Sequence, residues 1–171
     1  LFIADAGLRR VLAFDLSGKH LWITKGIDGF VIPSPYFDLC SDAEEGIWVV
    51  NPGRHRLEQY DRDGKFRAMW KPDQDRGFLG CCNPAHFVRL DGNQFVTLEK
   101  GITRSRLFAP SGKLMRLIAG PENFLSKKFN YELVAGEDTL YILDTSNNMV
   151  FIFDNAFRSN IKPEGKSYEK N

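Results

Sequence analysis

The stretch IWVVNPGRHRLEQYDRDGK, from Ile47 to Lys65, decides the fold. Ile47 to Val50 is β-branched and aromatic, the composition of a buried strand. Asn51-Pro52-Gly53 is turn chemistry, because Pro fixes φ and Gly permits positive φ. Arg56 to Tyr60 reads as a second strand of the stretch, and Asp61 to Lys65 as a hairpin with Gly64 at its special position. Phe66 to Trp70 follows as a further strand. Upstream, Ser34 to Cys40 reads as the strand that opens the unit, with a turn over Asp42 to Gly46. Every segment is short and bounded by turn residues, and no 3.6-residue period is sustained, so the chain is expected to be all-β.

The same pattern is written three more times. The copies are LFIADAGLRRVLAFDLSGK from Leu1, FVTLEKGITRSRLFAPSGK from Phe95 and LYILDTSNNMVFIFDNAFR from Leu140, so the starts are 46, 48 and 45 residues apart. That period, with several strands per repeat, predicts a β-propeller of four-stranded antiparallel blades. A single blade cannot bury its own faces, so its neighbours must supply the core. Composition agrees: 43% of residues are hydrophobic and 26% charged, with no run of the roughly 18 apolar residues that a membrane helix needs. The formal net charge of +1 supplies no global field to steer the chain toward nucleic acid or an anionic membrane.

Position by position, the repeat has an acidic or amide residue at Asp5, Asn51, Glu99 and Asp144. An Arg follows five residues later at Arg10, Arg56 and Arg104, with Met149 in the fourth copy. Leu8, Arg54, Ile102 and Asn147 stand two residues before that position. These residues resemble the NHL-repeat family of propellers, over nearly the whole chain. The stretch from Phe30 through GCCNPAHF to FVTLEKG is also similar to a bacterial NHL-type family of six-bladed, exported propellers. The resemblance implies a periplasmic or extracellular protein and a ring of six blades.

About 3.7 periods fit into 171 residues. The first copy begins at its second strand, without a Met, so an earlier segment is expected. Blades are expected over 1–155 and a polar tail over 156–171, IKPEGKSYEKN being its end. An open ring exposes strand edges. Three arrangements follow: a piece of a longer propeller, a four-bladed ring closed by its own termini, or an arc completed by a partner chain. Closure by the termini needs the tail to supply the missing first strand. With Pro163, Gly165 and little apolar alternation the tail reads as an exiting or disordered end, which favours the first arrangement.

The repeat is interrupted at Gly80-Cys81-Cys82-Asn83-Pro84-Ala85-His86. Aligning Pro84 with Pro35 makes this cluster the lead-in to a first strand, at the mouth of the central channel. Thiolate and imidazole suit a soft transition metal such as Zn, Cu or Fe, so Cys81, Cys82 and His86 are candidate ligands. Against this, adjacent cysteines on an extended strand point apart. A vicinal Cys81–Cys82 disulfide and plain structural thiols are the competing readings. Asn83, Glu99 and Lys100 are the expected surroundings. Cys40 is expected to be a small core residue.

Asp5, Asn51, Glu99 and Asp144 could form a ring around a cation such as Ca²⁺. Closure of their own turns and pairing with the repeat arginines is the stronger reading. Arg10, Arg56 and Arg104 share one face with Arg9, Arg54, His55 and Arg106, which raises RNA binding. The interleaved Asp42, Glu44, Glu45, Asp61 and Asp63 argue against it. No G-x-S-x-G elbow or HExxH helix is present. Some NHL-type propellers are lyases with a histidine-held zinc, but only His20, His55 and His86 occur here. The sequence is therefore expected to encode a binding scaffold that meets a protein partner or small ligand at a propeller face. A metal-dependent or redox enzyme built on the Cys-Cys/His loop is the alternative, and an RNA-binding face the third.

Overall fold

In the computed structural model the described residues are 1–42, 46–73, 77–126, 128–158 and the strand 164–169. Among them, fifteen strands form four antiparallel sheets, each a simple meander. The first blade has three strands: β1 (Phe2–Asp5), β2 (Arg10–Phe14) and β3 (His20–Thr24). The second runs through β4 (Leu39–Ser41), β5 (Ile47–Asn51), β6 (Arg56–Tyr60) and β7 (Phe66–Trp70). The third runs through β8 (His86–Arg89), β9 (Phe95–Glu99), β10 (Arg104–Phe108) and β11 (Leu114–Ala119). The fourth is β12 (Tyr131–Ala135), β13 (Leu140–Asp144), β14 (Met149–Asp154) and β15 (Glu164–Glu169). No ladder joins one sheet to another among the described residues, and the outer faces of the first and fourth blades are left uncovered, so the sheets do not close into a ring.

The repeat read from the sequence is a register. Asp5 lies opposite Arg10, Asn51 opposite Arg56, Glu99 opposite Arg104 and Asp144 opposite Met149, each pair flanking the turn between a blade's second and third strands. The turn between third and fourth strands also recurs. In the first three blades the residues Asp15, Asp61 and Ala109 each receive a hydrogen bond from the glycine three residues on, and donate to the lysine carbonyl four residues on. Gly18, Gly64 and Gly112 hold φ of 83°, 77° and 89° there, which a side chain would resist.

Those turns dock onto the preceding blade. Trp22 Nε1 of β3 donates to Arg62 O at 2.6 Å, and a Cβ on Gly64 would stand 2.7 Å from the Trp22 ring. Trp70 Nε1, at the end of β7, donates to Ala109 O at 3.3 Å, and Asp73 N donates to Gly112 O at 3.0 Å. In β11 the same task falls to Arg116, whose Nη1 donates to the carbonyls of Asn155 and Arg158 at 3.1 and 2.6 Å. The outer strands β3, β7 and β11 are thus each tied to the next blade's outer turn.

Between the tied turns the blades pack face to face. Phe95 sits between Trp48 and Trp70, with ring centroids at 5.0 and 4.7 Å, and Trp70 meets Phe108 edge-on at 5.5 Å. All five residues of β5 and all five of β9 are buried, because each of these central blades has a neighbour on both faces. By contrast β13 alternates buried and exposed, and Tyr141 and Leu143 face outward beside Val134, which is 61% exposed. The first blade likewise leaves Ile3 and Ile23 uncovered, each across the sheet from Leu12.

Two expectations differ from the structure. Of the expected strand Ser34 to Cys40, only Leu39–Ser41 is regular. Pro33 and Pro35 withhold ladder donors, and Asp38 turns its own carboxylate onto the Leu39 amide at 2.9 Å. The expected tail 156–171 contains β15, which pairs along the whole of β14 from Asp154–Glu164 to Met149–Glu169. An outer strand completes its neighbour's ladder without needing an apolar face of its own, so polarity misled the reading. The segment therefore finishes its own blade and does not supply a first strand beside β1. Of the expected turn after β4, residues 43–45 lie outside the described residues.

Phe95→Ala should lower stability by about 3–5 kcal/mol, the usual cost of removing a fully buried aromatic ring. Urea unfolding checks this, with Leu16→Ala, at a fully exposed turn, expected to change stability by less than about 0.5 kcal/mol.

Candidate functional site

The inner strands bring three titratable side chains to one place. Val50 N donates to Asp38 O at 3.0 Å, His86 lies opposite Leu98, and Glu132 lies opposite Leu143. Val50, Leu98 and Leu143 each precede the repeat's acidic or amide residue by one. Asp38, His86 and Glu132 are therefore the same position on three successive blades. β8 runs beside both β4 and β12, so the imidazole stands between the carboxylates. His86 Nδ1 lies 3.4 Å from Asp38 Oδ2 and 3.7 Å from Glu132 Oε2.

Aromatic rings fix that imidazole. It stacks on Phe129 at 6.1 Å with an interplanar angle of 11°, and meets the Tyr36 ring edge-on at 5.5 Å. Tyr36 crosses from the second blade to the fourth, its hydroxyl donating to Phe129 O at 2.6 Å. His86 is only 7% exposed, yet its Nε2 is buried without a hydrogen-bond partner. Two carboxylates on the Nδ1 side keep a hydrogen on Nδ1 in either charge state of the ring, which leaves Nε2 as the open position. A buried polar atom left unsatisfied in this way is costly and calls for a partner group.

The cysteine loop lies next to this row. The chain bends through Gly80, Cys81 and Cys82 and does not run extended there, with Gly80 at φ 78°. The expectation that the two side chains point apart is thereby reversed: both thiols are free and the sulfurs stand 3.1 Å apart. Cys81 is exposed and Cys82 buried. Asn83 anchors the bend to the end of β9. Its Nδ2 donates to Lys100 O at 3.0 Å and to Leu79 O at 2.5 Å, while its Oδ1 accepts from Lys100 N at 2.8 Å. The Asn83–Pro84 peptide is cis.

Lys100 faces both clusters. Its ammonium stands 5.3 Å from the centre of the Tyr36 ring, and its positive charge acts on the Cys82 thiol. Burial alone pushes the Cys82 thiol up. The neighbouring Lys100 ammonium and Cys81 thiol outweigh it, so the thiol is held below its ordinary value. Ser34 Oγ, buried and without a partner of ordinary hydrogen-bond geometry, is close enough to add to the same shift. Cys81 moves the other way, through its contact with Cys82. Cys40 packs against the core, and burial pushes its thiol up to about 12.

The repeat carboxylates and arginines pair in place, differently in each blade. In the first, Arg10 Nε donates to Asp5 Oδ2 at 3.0 Å, and Asp5 also accepts from Leu8 N. In the second, the carboxylate is the fully buried Glu58, which accepts from Arg56 at 2.8 Å, Asn51 at 2.8 Å and the Tyr60 hydroxyl. Arg56 reaches Asp28 as well. In the third, buried Glu99 binds Arg104 at 2.8 Å and Arg106 at 2.5 Å. In the fourth, Asp144 accepts from Asn147 at 2.8 Å and from the Ser146 and Asn147 amides. These groups are spread over four turns and each closes its own. His20 is exposed at the start of β3, and His55 packs against Phe78, so neither joins His86.

Tyr36, Asp38, Phe129 and Glu132 were missed by the sequence reading. Aligning Pro84 with Pro35 shifted the inner strands by one residue. Counting back from Asn51, Glu99 and Asp144 would have superposed Asp38, His86 and Glu132, to within the one-residue difference in loop length. Among the described residues, no group of three or more His, Cys, Asp or Glu side chains is arranged to hold a metal ion. His86 contacts the carboxylates and aromatics, while the thiols contact each other and Lys100. A cleft of about 550 Å³ between Asp42, Tyr60, Asp61 and Arg67 lies at the opposite rim of the second blade.

No protein-family model and no curated protein matches the chain. Solved structures do match, at low identity. A streptogramin B lyase is similar with a TM-score of 0.57 and 16% identity, over 99% of this chain and 50% of that one. The virginiamycin B lyase of Staphylococcus aureus gives 0.55 and 12%, over 98% and 51%. A protein of unknown function from Bacteroides caccae gives 0.60 and 9%, over 96% and 55%. The chain has the β-propeller fold. It spans about half the length of the structures it matches, in keeping with four unclosed blades, and no helix among its described residues is long and apolar enough to cross a membrane.

Asn83→Ala should lower stability by about 1–3 kcal/mol, since it strands the Lys100 amide and carbonyl beneath the loop. Lys100→Ala keeps those backbone bonds and should cost less than about 1 kcal/mol. Urea unfolding of the two variants separates them.

Proposed function

We propose that the chain is an arc of a larger NHL-type propeller and acts as a binding scaffold, with its ligand or partner group received at the inner edge of the second to fourth blades. The observation that carries this reading is His86 Nε2, buried, unpartnered and oriented by Asp38 and Glu132 from the blades on either side. Three blades converge on that atom, so the site depends on the propeller arrangement and on no single repeat. The group it suits is a hydrogen-bonding group on a small molecule or on a partner's side chain. The apolar outer faces of the first and fourth blades support completion of the ring by further blades. Paired arginines at the repeat turns leave an RNA-binding face with little support. An extracytoplasmic setting rests on the family resemblance.

A fragment screen by NMR tests the scaffold reading. Amine- and amide-bearing fragments are expected to shift the His86 side-chain resonances and to lose affinity at least about tenfold in His86→Ala. Fragments that bind only elsewhere, or equally well to that variant, would overturn it.

The proximity of the two sulfurs favours a second reading, a soft-metal enzyme centred on Cys81 and Cys82. Metal analysis of purified protein separates the two readings. The scaffold reading expects no stoichiometric Zn, Cu or Fe, whereas bound metal lost in both Cys81→Ser and Cys82→Ser establishes the metal enzyme.

A further inference from the structure

The cysteine pair carries an inference that goes beyond the scaffold reading and does not depend on it. Adjacent residues rarely place their sulfurs together, yet here the bend after Gly80 sets them 3.1 Å apart as free thiols. The two are unequal. Cys82 is 6% exposed and feels the positive charge of Lys100, whereas Cys81 faces solvent. Asn83 binds Lys100 through both backbone groups, so the thiols and the cation are held on one anchored loop. A nearly covered sulfur admits only a small oxidant, and an exposed one admits a bulky reductant.

We propose that Cys81 and Cys82 form a reversible dithiol–disulfide couple, in which Cys82 is oxidised by hydrogen peroxide and Cys81 resolves the product. The Cys82 thiolate attacks the peroxide: an S–O bond forms, the O–O bond breaks, and the leaving hydroxide takes up a proton as water. The Cys81 sulfur then attacks the Cys82 sulfur. An S–S bond forms, the S–O bond breaks, and hydroxide leaves with the Cys81 proton as a second water. The two thiols together lose two electrons and the peroxide gains them. Reduction reverses the order of access: an external thiol attacks the exposed Cys81 sulfur and expels the Cys82 thiolate, which Lys100 receives. A second external thiol releases the mixed disulfide and leaves the dithiol restored.

Hydrogen peroxide and intact-mass measurement on the full chain test this, with Cys40→Ser as the background. Wild type is expected to lose about 2 Da, the two hydrogens of a disulfide, and to regain them with dithiothreitol. With Cys81→Ser, dimedone should trap a sulfenic acid at Cys82. With Cys82→Ser, Cys81 should react at least about tenfold more slowly. Lys100→Met should slow oxidation by a similar factor and Lys100→Arg should restore most of it. The proposal fails if wild type shows no mass loss, if sulfinic acid forms without a disulfide, or if dimedone marks Cys81 in Cys82→Ser as fast as Cys82 in Cys81→Ser. Circular dichroism of each variant confirms that a lost reaction does not reflect a lost fold.

Discussion

Everything in this structure depends on one sheet packing against the next. Each blade is a twisted meander with two apolar faces and no means of covering either. The packing of Phe95 between Trp48 and Trp70 joins the second blade to the third, and the core that Val96 and Leu98 of the third blade share with Ile142 of the fourth joins those two. Stacking alone would let sheets slide, because apolar contact has no direction. Directional hydrogen bonds at the outer rim fix the slide. Trp22, Trp70 and Arg116 each reach from an outer strand to a carbonyl in the next blade's turn. Glycine at the turns lets the backbones approach closely enough for those bonds to form.

With the outer rim fixed, the inner strands have little freedom. They are brought side by side, and equivalent positions on them become neighbours. That is how Asp38, His86 and Glu132, separated by 48 and 46 residues in the chain, come to share one site. None of them belongs to the recurring pattern of the repeat. The repeat supplies an address, and the residues placed at that address differ from blade to blade.

This division explains what the sequence disclosed. Blade count, the second and third strands, and the cross-strand pairing at Asp5, Asn51, Glu99 and Asp144 were legible, because they follow from turn chemistry and local alternation. The inner strand before β5 was not. Prolines at 33 and 35 and the carboxylate of Asp38 reshape it locally, and the misplaced register hid the link between Asp38 and His86. β15 was hidden for a different reason, since an outer strand needs only its backbone to pair. The cysteines were recognised as unusual, but their geometry was misjudged. An extended strand was assumed where Gly80 starts a bend, and no local pattern states which way the chain turns.

The repeated ion pairs and the unrepeated loop are connected through one short stretch of backbone. Glu99 is held at the end of β9 by Arg104 and Arg106, with Arg106 lying over the Phe108 ring at 4.8 Å. Lys100 is the next residue. A buried carboxylate bound by two guanidiniums is expensive to disturb, because loosening it leaves charge uncompensated in the interior. The backbone of Lys100 therefore inherits a fixed position from a structural element, and Asn83 ties the cysteine bend to that fixed backbone. The ordinary repeat residues thus hold still the end of a strand from which the exceptional residues work. That is why the arginines can be structural and still fix the position of the cysteine bend beside them.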